Sequence, residues 1–213
     1  MHFISPELEL YVEKHSQEEP ALLAALQRET FQKIMQPRML SGHFQGRVLS
    51  MLSKLVRPVN ILEIGTYTGY STLSLAEGMQ ENGSIDTIDI NEELFDIQKK
   101  YFDLSPWKDQ ITQHLGDALD IIPKLDKKFD LVFIDADKDN YLKYFEIIVP
   151  IVNKGGIILS DNVLWSGKVL EIPNPKDLST NVLVEYNKKI NTDPRVETVL
   201  LPIRDGLTVS RVL

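Results

Sequence analysis

The sequence contains no cysteine. That removes disulfide frameworks, thiolate metal sites and cysteine nucleophiles, and it fits a reducing compartment. Long apolar runs are also missing: none approaches the roughly 20 residues that a membrane-crossing helix needs. The opening stretch MHFISPELELYVEKHSQEEP carries acids early and no unbroken apolar segment, so it does not read as a secretory leader. The expectation is a soluble, cytoplasmic protein without a membrane partner. Positive charge is in deficit, with 23 Lys and Arg against 31 Asp and Glu and a net charge of −8. A diffuse acidic balance argues against a nucleic-acid partner, because phosphate binding needs a basic face. No internal repeat or low-complexity tract is present.

What remains is ordinary for a globular chain: 213 residues, 43% hydrophobic and 25% charged, enough for one domain with a core of its own. The front, from about Ser5 to Arg57, is all-helical in pattern. Ser5 caps a helix with Pro6 in its first turn, Ala21–Met35 repeats apolar residues at helical spacing, Gln36–Gly42 reads as a loop, and Phe44–Val56 is amphipathic up to Pro58. From there short apolar runs alternate with helical segments. The runs are Val59–Ile64, Ile85–Ile90, Gln110–Leu115, Phe129–Ile134, Gly156–Leu159, Val196–Pro202 and Leu207–Leu213. The helical segments are Thr68–Met79, Glu92–Asp103, Ala118–Leu125, Asn140–Val152 and Thr180–Asn191. Alternation of this kind predicts an α/β fold: a doubly wound, mostly parallel sheet with helices on both faces. The last two runs are too close for a crossover, so they form a hairpin and one of them is antiparallel to the rest.

In such sheets ligands bind beyond the carboxyl ends of the strands, which directs attention to the polar residues after each run. After the first comes Glu63-Ile64-Gly65-Thr66-Tyr67-Thr68-Gly69-Tyr70-Ser71. Its glycines suit a close backbone approach, but a dinucleotide fingerprint would need glycine where Tyr67 and Tyr70 stand, so a ligand without a pyrophosphate fits better. Asp89 follows the second run, where it suits two ribose hydroxyls or caps the helix at Asn91–Glu92. Gly116-Asp117-Ala118 follows the third; Asp117 suits an adenine amino group and equally a helix cap. Asp135-Ala136-Asp137-Lys138-Asp139 follows the fourth, and Asp161-Asn162 the fifth. If those two strands are neighbours, about 4.8 Å apart, Asp135, Asp161 and Asn162 meet as three oxygen ligands. Oxygen ligands select a hard cation such as Mg²⁺, Mn²⁺ or Ca²⁺, and the lack of His or Cys there argues against zinc. His114, inside the third run, reads as structural, and His43 has no evident partner.

At these residues the sequence resembles the cation-dependent O-methyltransferases, the family of caffeoyl-coenzyme A and catechol O-methyltransferases. The segments that carry the likeness are E-I-G-T-Y-T-G-Y-S from Glu63, D-I at Asp89, G-D-A at Gly116, F-I-D-A-D-K-D-N-Y from Phe133, D-N-V-L-W-S-G from Asp161 and the late R-D-G-L-T-V-S. The resemblance implies one class I methyltransferase domain over 1–213. Residues 1–57 are its helical extension, and 58–213 are a Rossmann-like core with a seven-stranded sheet. It implies S-adenosylmethionine as cofactor. Glu63, the Gly65–Thr66 backbone and Ser71 would take its methionine part and ribose, Asp89 the ribose hydroxyls, and Asp117 and Ala118 the adenine. Met39 and Ser41 would close over it. It further implies a divalent cation, Mg²⁺ first, on Asp135, Asp161 and Asn162, with Asp135 and Lys138 in the catalytic centre and Lys138 as base.

The implied substrate is a small hydroxylated aromatic with vicinal hydroxyls, and the implied assembly a homodimer. Ser166 stands where plant relatives usually carry Asn, which weakens the case for their acyl-coenzyme A substrate. The segment between Val169 and Thr180, with Pro173 and Pro175, lies where substrate would enter. Other readings stay open on the residues alone: a methyltransferase of the same fold acting on a different small-molecule hydroxyl, or on nucleic acid or protein; a nicotinamide-dependent oxidoreductase on a similar sheet; and a non-catalytic binding protein that kept the fold.

Overall fold

A computed structural model of the chain describes residues 5–213; the part of the leader reading that falls on residues 1–4 lies outside the described residues. Ser5 opens α1 (Pro6–Lys14) by accepting the Leu8 N–H on its Oγ, and Pro6 sits in the first turn, where no N–H is needed. α2 (Ala21–Lys33) and α3 (Gly42–Val56) follow, with one 3₁₀ turn, Pro37–Met39, in the loop between them. α3 stops at Arg57, which adopts a left-handed conformation just ahead of Pro58.

Seven strands form one sheet: β1 (Asn60–Ile64), β2 (Ser84–Asp89), β3 (Ile111–Leu115), β4 (Phe129–Ile134), β5 (Val152–Asp161), β6 (Val196–Leu201) and β7 (Leu207–Val212). Their order across the sheet is β3-β2-β1-β4-β5-β7-β6. The first five are mutually parallel, and β7 runs antiparallel to both β5 and β6. This is the Rossmann-like, doubly wound arrangement with one reversed hairpin strand that the sequence pattern predicts. The remaining helices are α4 (Tyr70–Ala76), α5 (Phe95–Asp103), α6 (Ala118–Ile121), α7 (Tyr141–Ile148) and α8 (Leu178–Thr192).

The period-2 alternation of the strands sorts the core into two layers. Ile61, Ile85, Leu131, Phe133 and Leu159 point to one face, where Leu49 of α3 and Leu75 of α4 cover them. Leu62, Ile64, Ile88, Val132, Ile134 and Ile158 point to the other, beneath Tyr141 and Phe145 of α7 and Leu183 and Tyr186 of α8. A third cluster ties the helical front to the core, with Leu23 and Leu26 of α2 packed on Tyr70, Leu73, Tyr101 and Phe102. Among the described residues no helix is long and apolar enough to cross a membrane.

Several boundaries differ from the sequence pattern for identifiable reasons. The helix expected over Asn140–Val152 is α-helical only over Tyr141–Ile148 and ends in the 3₁₀ turn Val149–Ile151, because Pro150 has no N–H to donate. Pro123 converts the end of Ala118–Leu125 to 3₁₀ in the same way. β5 starts earlier than Gly156: Val152 already pairs with Phe129, and an irregularity then shifts the register so that Ile157 meets Leu131.

The chain builds outward from β1 through β2 to β3 and returns to lay β4 on the other side of β1, so the switch point of the sheet lies between β1 and β4. Gly65, just past β1, has φ +97, and a Cβ there would sit 1.9 Å from the Asp135 carbonyl oxygen. Both facts require glycine. Gly65→Ala is therefore expected to destabilise the protein by about 2 kcal/mol or more, read from urea denaturation. A loss below about 0.5 kcal/mol would show that the two strand tips can part freely.

Candidate active site

The carboxyl ends of β1, β2, β3, β4 and β5 open into one cleft of about 1420 Å³. Its walls include Met39, Ser41, Gly65, Asp89, Asp117, Ala118, Asp135, Lys138, Asp161 and Asn162, so most of the residues singled out from the sequence share one space. Of the six non-glycine residues with positive φ among the described residues, four, namely Tyr67, Asn162, Trp165 and Arg204, also line it. Backbone held in that region costs free energy and persists where surrounding contacts over-determine it.

Asp89 sits at the tip of β2. One carboxylate oxygen accepts from the Tyr67 N–H at 2.7 Å and the other from the Asn91 N–H at 2.8 Å. Both carboxylate oxygens are thus held by the turns that flank the cleft, while the cap of the following 3₁₀ turn is Asn91. Asp117 likewise caps α6 through the Leu119 N–H at 2.8 Å and still borders the cleft. Tyr67, whose hydroxyl donates to the Gln36 carbonyl, joins the β1 turn to the loop that carries Met39.

Glu63, Thr66 and Ser71 lie behind the cleft wall, all buried. Glu63 points to the α3–α4 face of the sheet. Its Oε2 accepts from the hydroxyls of Thr72 and Thr87, the latter at 2.6 Å, and Thr87 meets Thr66 at 2.5 Å. Its Oε1 has no hydrogen-bond partner although it is fully buried, with the Ser71 hydroxyl close by. Burial pushes the Glu63 carboxyl up to about 7 against the lowering effect of the Ser71, Thr72 and Thr87 hydroxyls, and the charge of Asp135 adds to the rise. A buried acceptor with a free lone pair is suited to a cationic or N–H donor from a ligand.

At the tips of the adjacent strands β4 and β5, Asp135, Asp161 and Asn162 line the same cleft. Burial raises the Asp161 carboxyl to about 7, and the Asp135 charge adds to the rise. A buried Asp161 beside a half-buried Asp135 is an oxygen donor set suited to a divalent cation. Asp161 Oδ1 accepts from the Asn162 N–H at 2.9 Å, and Oδ2 accepts from the Gln45 amide at 2.5 Å. Lys138 is almost fully buried. Its Nζ donates to Asp135 Oδ1 at 3.0 Å and to the Tyr141 hydroxyl at 2.7 Å, over the Tyr141 ring. Tyr141 in turn donates to the carbonyl oxygens of Ile134 and Asp161.

Gln45, Arg204, Tyr67 and Tyr141 were not picked out by sequence. Tyr67, Tyr141 and Arg204 stand inside segments that carry the family likeness, whereas Gln45 had no such signal. His114 is structural as expected, bonded to Asp86 at 2.8 Å. His43, for which no partner was evident, meets the Gln17 carbonyl at 2.7 Å.

Comparison with known proteins matches this arrangement. The model of a family described as O-methyltransferase covers residues 13–213. Caffeoyl-CoA O-methyltransferase 5 of Nicotiana tabacum is 38% identical over 178 residues, covering 78% of this chain and 74% of that protein. The caffeoyl-CoA O-methyltransferase of Medicago sativa is 36% identical over 178 residues, covering 78% and 72%. An O-methyltransferase from Bacillus cereus, solved in complex with SAH, superposes with a TM-score of 0.90 at 27% identity over 97% of each chain. An SAH-bound methyltransferase of Podospora anserina gives 0.89 at 27% identity over 100% of each.

The raised Glu63 carboxyl has a consequence for stability. The folded state favours the protonated acid, so its contribution is complete below about pH 4.5 and is lost as the pH climbs through about 7. Glu63→Gln should flatten the fall in ligand-free stability between about pH 5 and 8 by a few kcal/mol, while Asp161 keeps its own share of the slope. Thermal denaturation across that range checks this, and parallel wild-type and variant curves would count against it.

Proposed function

Since the chain belongs to the O-methyltransferase family and is an S-adenosylmethionine-dependent O-methyltransferase, we propose that it methylates a hydroxyl of a small catechol-like substrate with the help of a divalent cation. What supports this reading is that Asp135, Asp161 and Asn162 stand at adjacent strand tips and line the same cleft as Asp89 and Asp117. Family membership removes the nicotinamide oxidoreductase reading.

In this proposal S-adenosylmethionine supplies the methyl group. Asp89 accepts from the ribose hydroxyls, fixed in place by the Tyr67 and Asn91 N–H groups. Asp117 and Ala118 hold the adenine end. The Gly65–Thr66 backbone, Ser71 and Glu63 hold the methionine part, Glu63 acting from the buried layer behind the cleft wall. Met39 and Ser41 form the lip above.

Asp135, Asp161 and Asn162 would hold the cation, Mg²⁺ before Mn²⁺ or Ca²⁺. A divalent ion supplies there a positive charge that favours the ionised form of a phenol, whose ordinary pKa is about 10 by analogy with tyrosine. Lys138 is the base that takes the proton of the reacting hydroxyl on Nζ. Tyr141, itself anchored to two carbonyl oxygens, sets where that amine sits. Trp165 walls the substrate side. Holding the two reactants in line contributes several kcal/mol of barrier reduction. The vicinal hydroxyls follow from the proposed chelation; the rest of the substrate is left to Ser166 and the 169–180 segment. A homodimer is part of the proposal, supported by Leu8, Leu10, Tyr11 and Phe31 exposed on the helical front.

Asp161→Ala should reduce cation-stimulated methylation of a catechol by at least on the order of 100-fold, measured with labelled S-adenosylmethionine with and without Mg²⁺. Full activity in that variant, or in chelator-treated wild type, would falsify the metal part of the proposal and leave the methyl transfer standing.

A further inference from the structure

We propose that Gln45 and Arg204 are positioning residues that aim Asp161 at the divalent cation, and that through them the loop above the cleft and the cation site are set together. The inference rests on the metal reading above.

Gln45 lies on α3, is 2% exposed, and donates from Nε2 to Asp161 Oδ2 at 2.5 Å. A terminal amide can sit either way round, and here its neighbour decides. Arg204 Nη1 reaches Gln45 Oε1 at 2.5 Å, and a guanidinium only donates. The amide oxygen must therefore face Arg204, which turns the NH₂ toward Asp161. The carboxylate thus has one fixed donor on each oxygen, Gln45 on Oδ2 and the Asn162 N–H on Oδ1. Each oxygen keeps a further lone pair for a cation. Partners of this kind orient metal ligands and commonly matter tenfold or more to affinity.

Arg204 stands in the β6–β7 turn with φ 50, in the left-handed region that a glycine would occupy more cheaply. Its guanidinium offsets that strain: besides Gln45, it donates to the carbonyl oxygens of Ser41 and Leu40. These belong to the same segment as Met39, which lines the cleft with Ser41. Gly206, two residues on, has φ +89, and a Cβ there would meet Leu164 at 2.5 Å, so this turn is pressed against the stretch that follows Asn162. One guanidinium therefore bridges the loop, the hairpin turn and the amide that orients Asp161.

The test is calorimetric titration of Mn²⁺ into full-length protein saturated with S-adenosylhomocysteine, for wild type, Asp161→Ala, Gln45→Leu, Arg204→Gly and Arg204→Lys, with S-adenosylhomocysteine affinity measured alongside. Gln45→Leu is expected to weaken Mn²⁺ binding roughly tenfold and to leave S-adenosylhomocysteine affinity within about twofold. Arg204→Gly should weaken Mn²⁺ binding several-fold although its backbone is relaxed, and Arg204→Lys should recover part of the loss. Arg204→Gly also carries the test if Gln45→Leu fails to fold, because the turn conformation suits glycine. If both substitutions leave Mn²⁺ affinity within about twofold while Asp161→Ala abolishes it, this inference is overturned and the metal reading survives. Equal losses of Mn²⁺ and S-adenosylhomocysteine affinity in Gln45→Leu mean general loosening and overturn it too. A wild type that takes up no Mn²⁺ overturns both.

Discussion

The backbone of Gly65 passes so close to the carbonyl of Asp135 that no side chain fits between them. That approach closes the base of the cleft at the β1–β4 switch point, and the rest of the site is arranged around it. Because β1 and β4 cannot separate there, the Tyr67 N–H is delivered to Asp89 on one side, and Asp135 is held beside Lys138 on the other. β4 then fixes β5 in register, with Ile134 opposite Ser160, which places Asp161 one residue further along. The Asp89 side and the Asp135–Asp161 side of the cleft are thus two sides of a single backbone contact.

Much of this was legible in the residues because the physics behind it is local. Short apolar runs ending in Gly or Asp mark parallel strands and their tips, and tips in a doubly wound sheet converge by topology alone. Hence Asp89, Asp117, Asp135, Lys138, Asp161 and Asn162 share a cleft, as expected. Glu63, Thr66 and Ser71 belong to the same motif, but strand alternation turns Glu63 to the opposite face from Ile64, so this group lies beneath the floor. The Gln45–Asp161 and Gln45–Arg204 contacts span 116 and 159 positions and leave no periodic trace. The early half of β5 was hidden because Val152 reads as the end of the preceding helical segment and Asn153, Lys154 and Gly155 interrupt the apolar run; in the structure Val152 pairs with Phe129 before the register shifts to Ile157 opposite Leu131. Pro123 and Pro150 shortened two helices that the apolar spacing alone would have extended.

Two acids, Glu63 and Asp161, lie buried with their ionised forms disfavoured. In the free protein they oppose folding at neutral pH. A ligand that brings positive charge to either relieves that opposition, so part of its binding free energy appears as added stability.

The place of β7 in the sheet has a consequence for how the chain assembles. β6 precedes β7 along the chain, yet it touches the sheet only through it. The strand made earlier must wait for the one made later, so the order of docking reverses the order of synthesis at this edge. Leu207, the first residue of β7, pairs with Asp161. The wall that carries Asp161 therefore gains its last neighbour only when this late segment inserts. A nascent chain that has already formed β1 to β5 holds an unpaired β5 edge until then, a point of exposure to misdirected strand pairing.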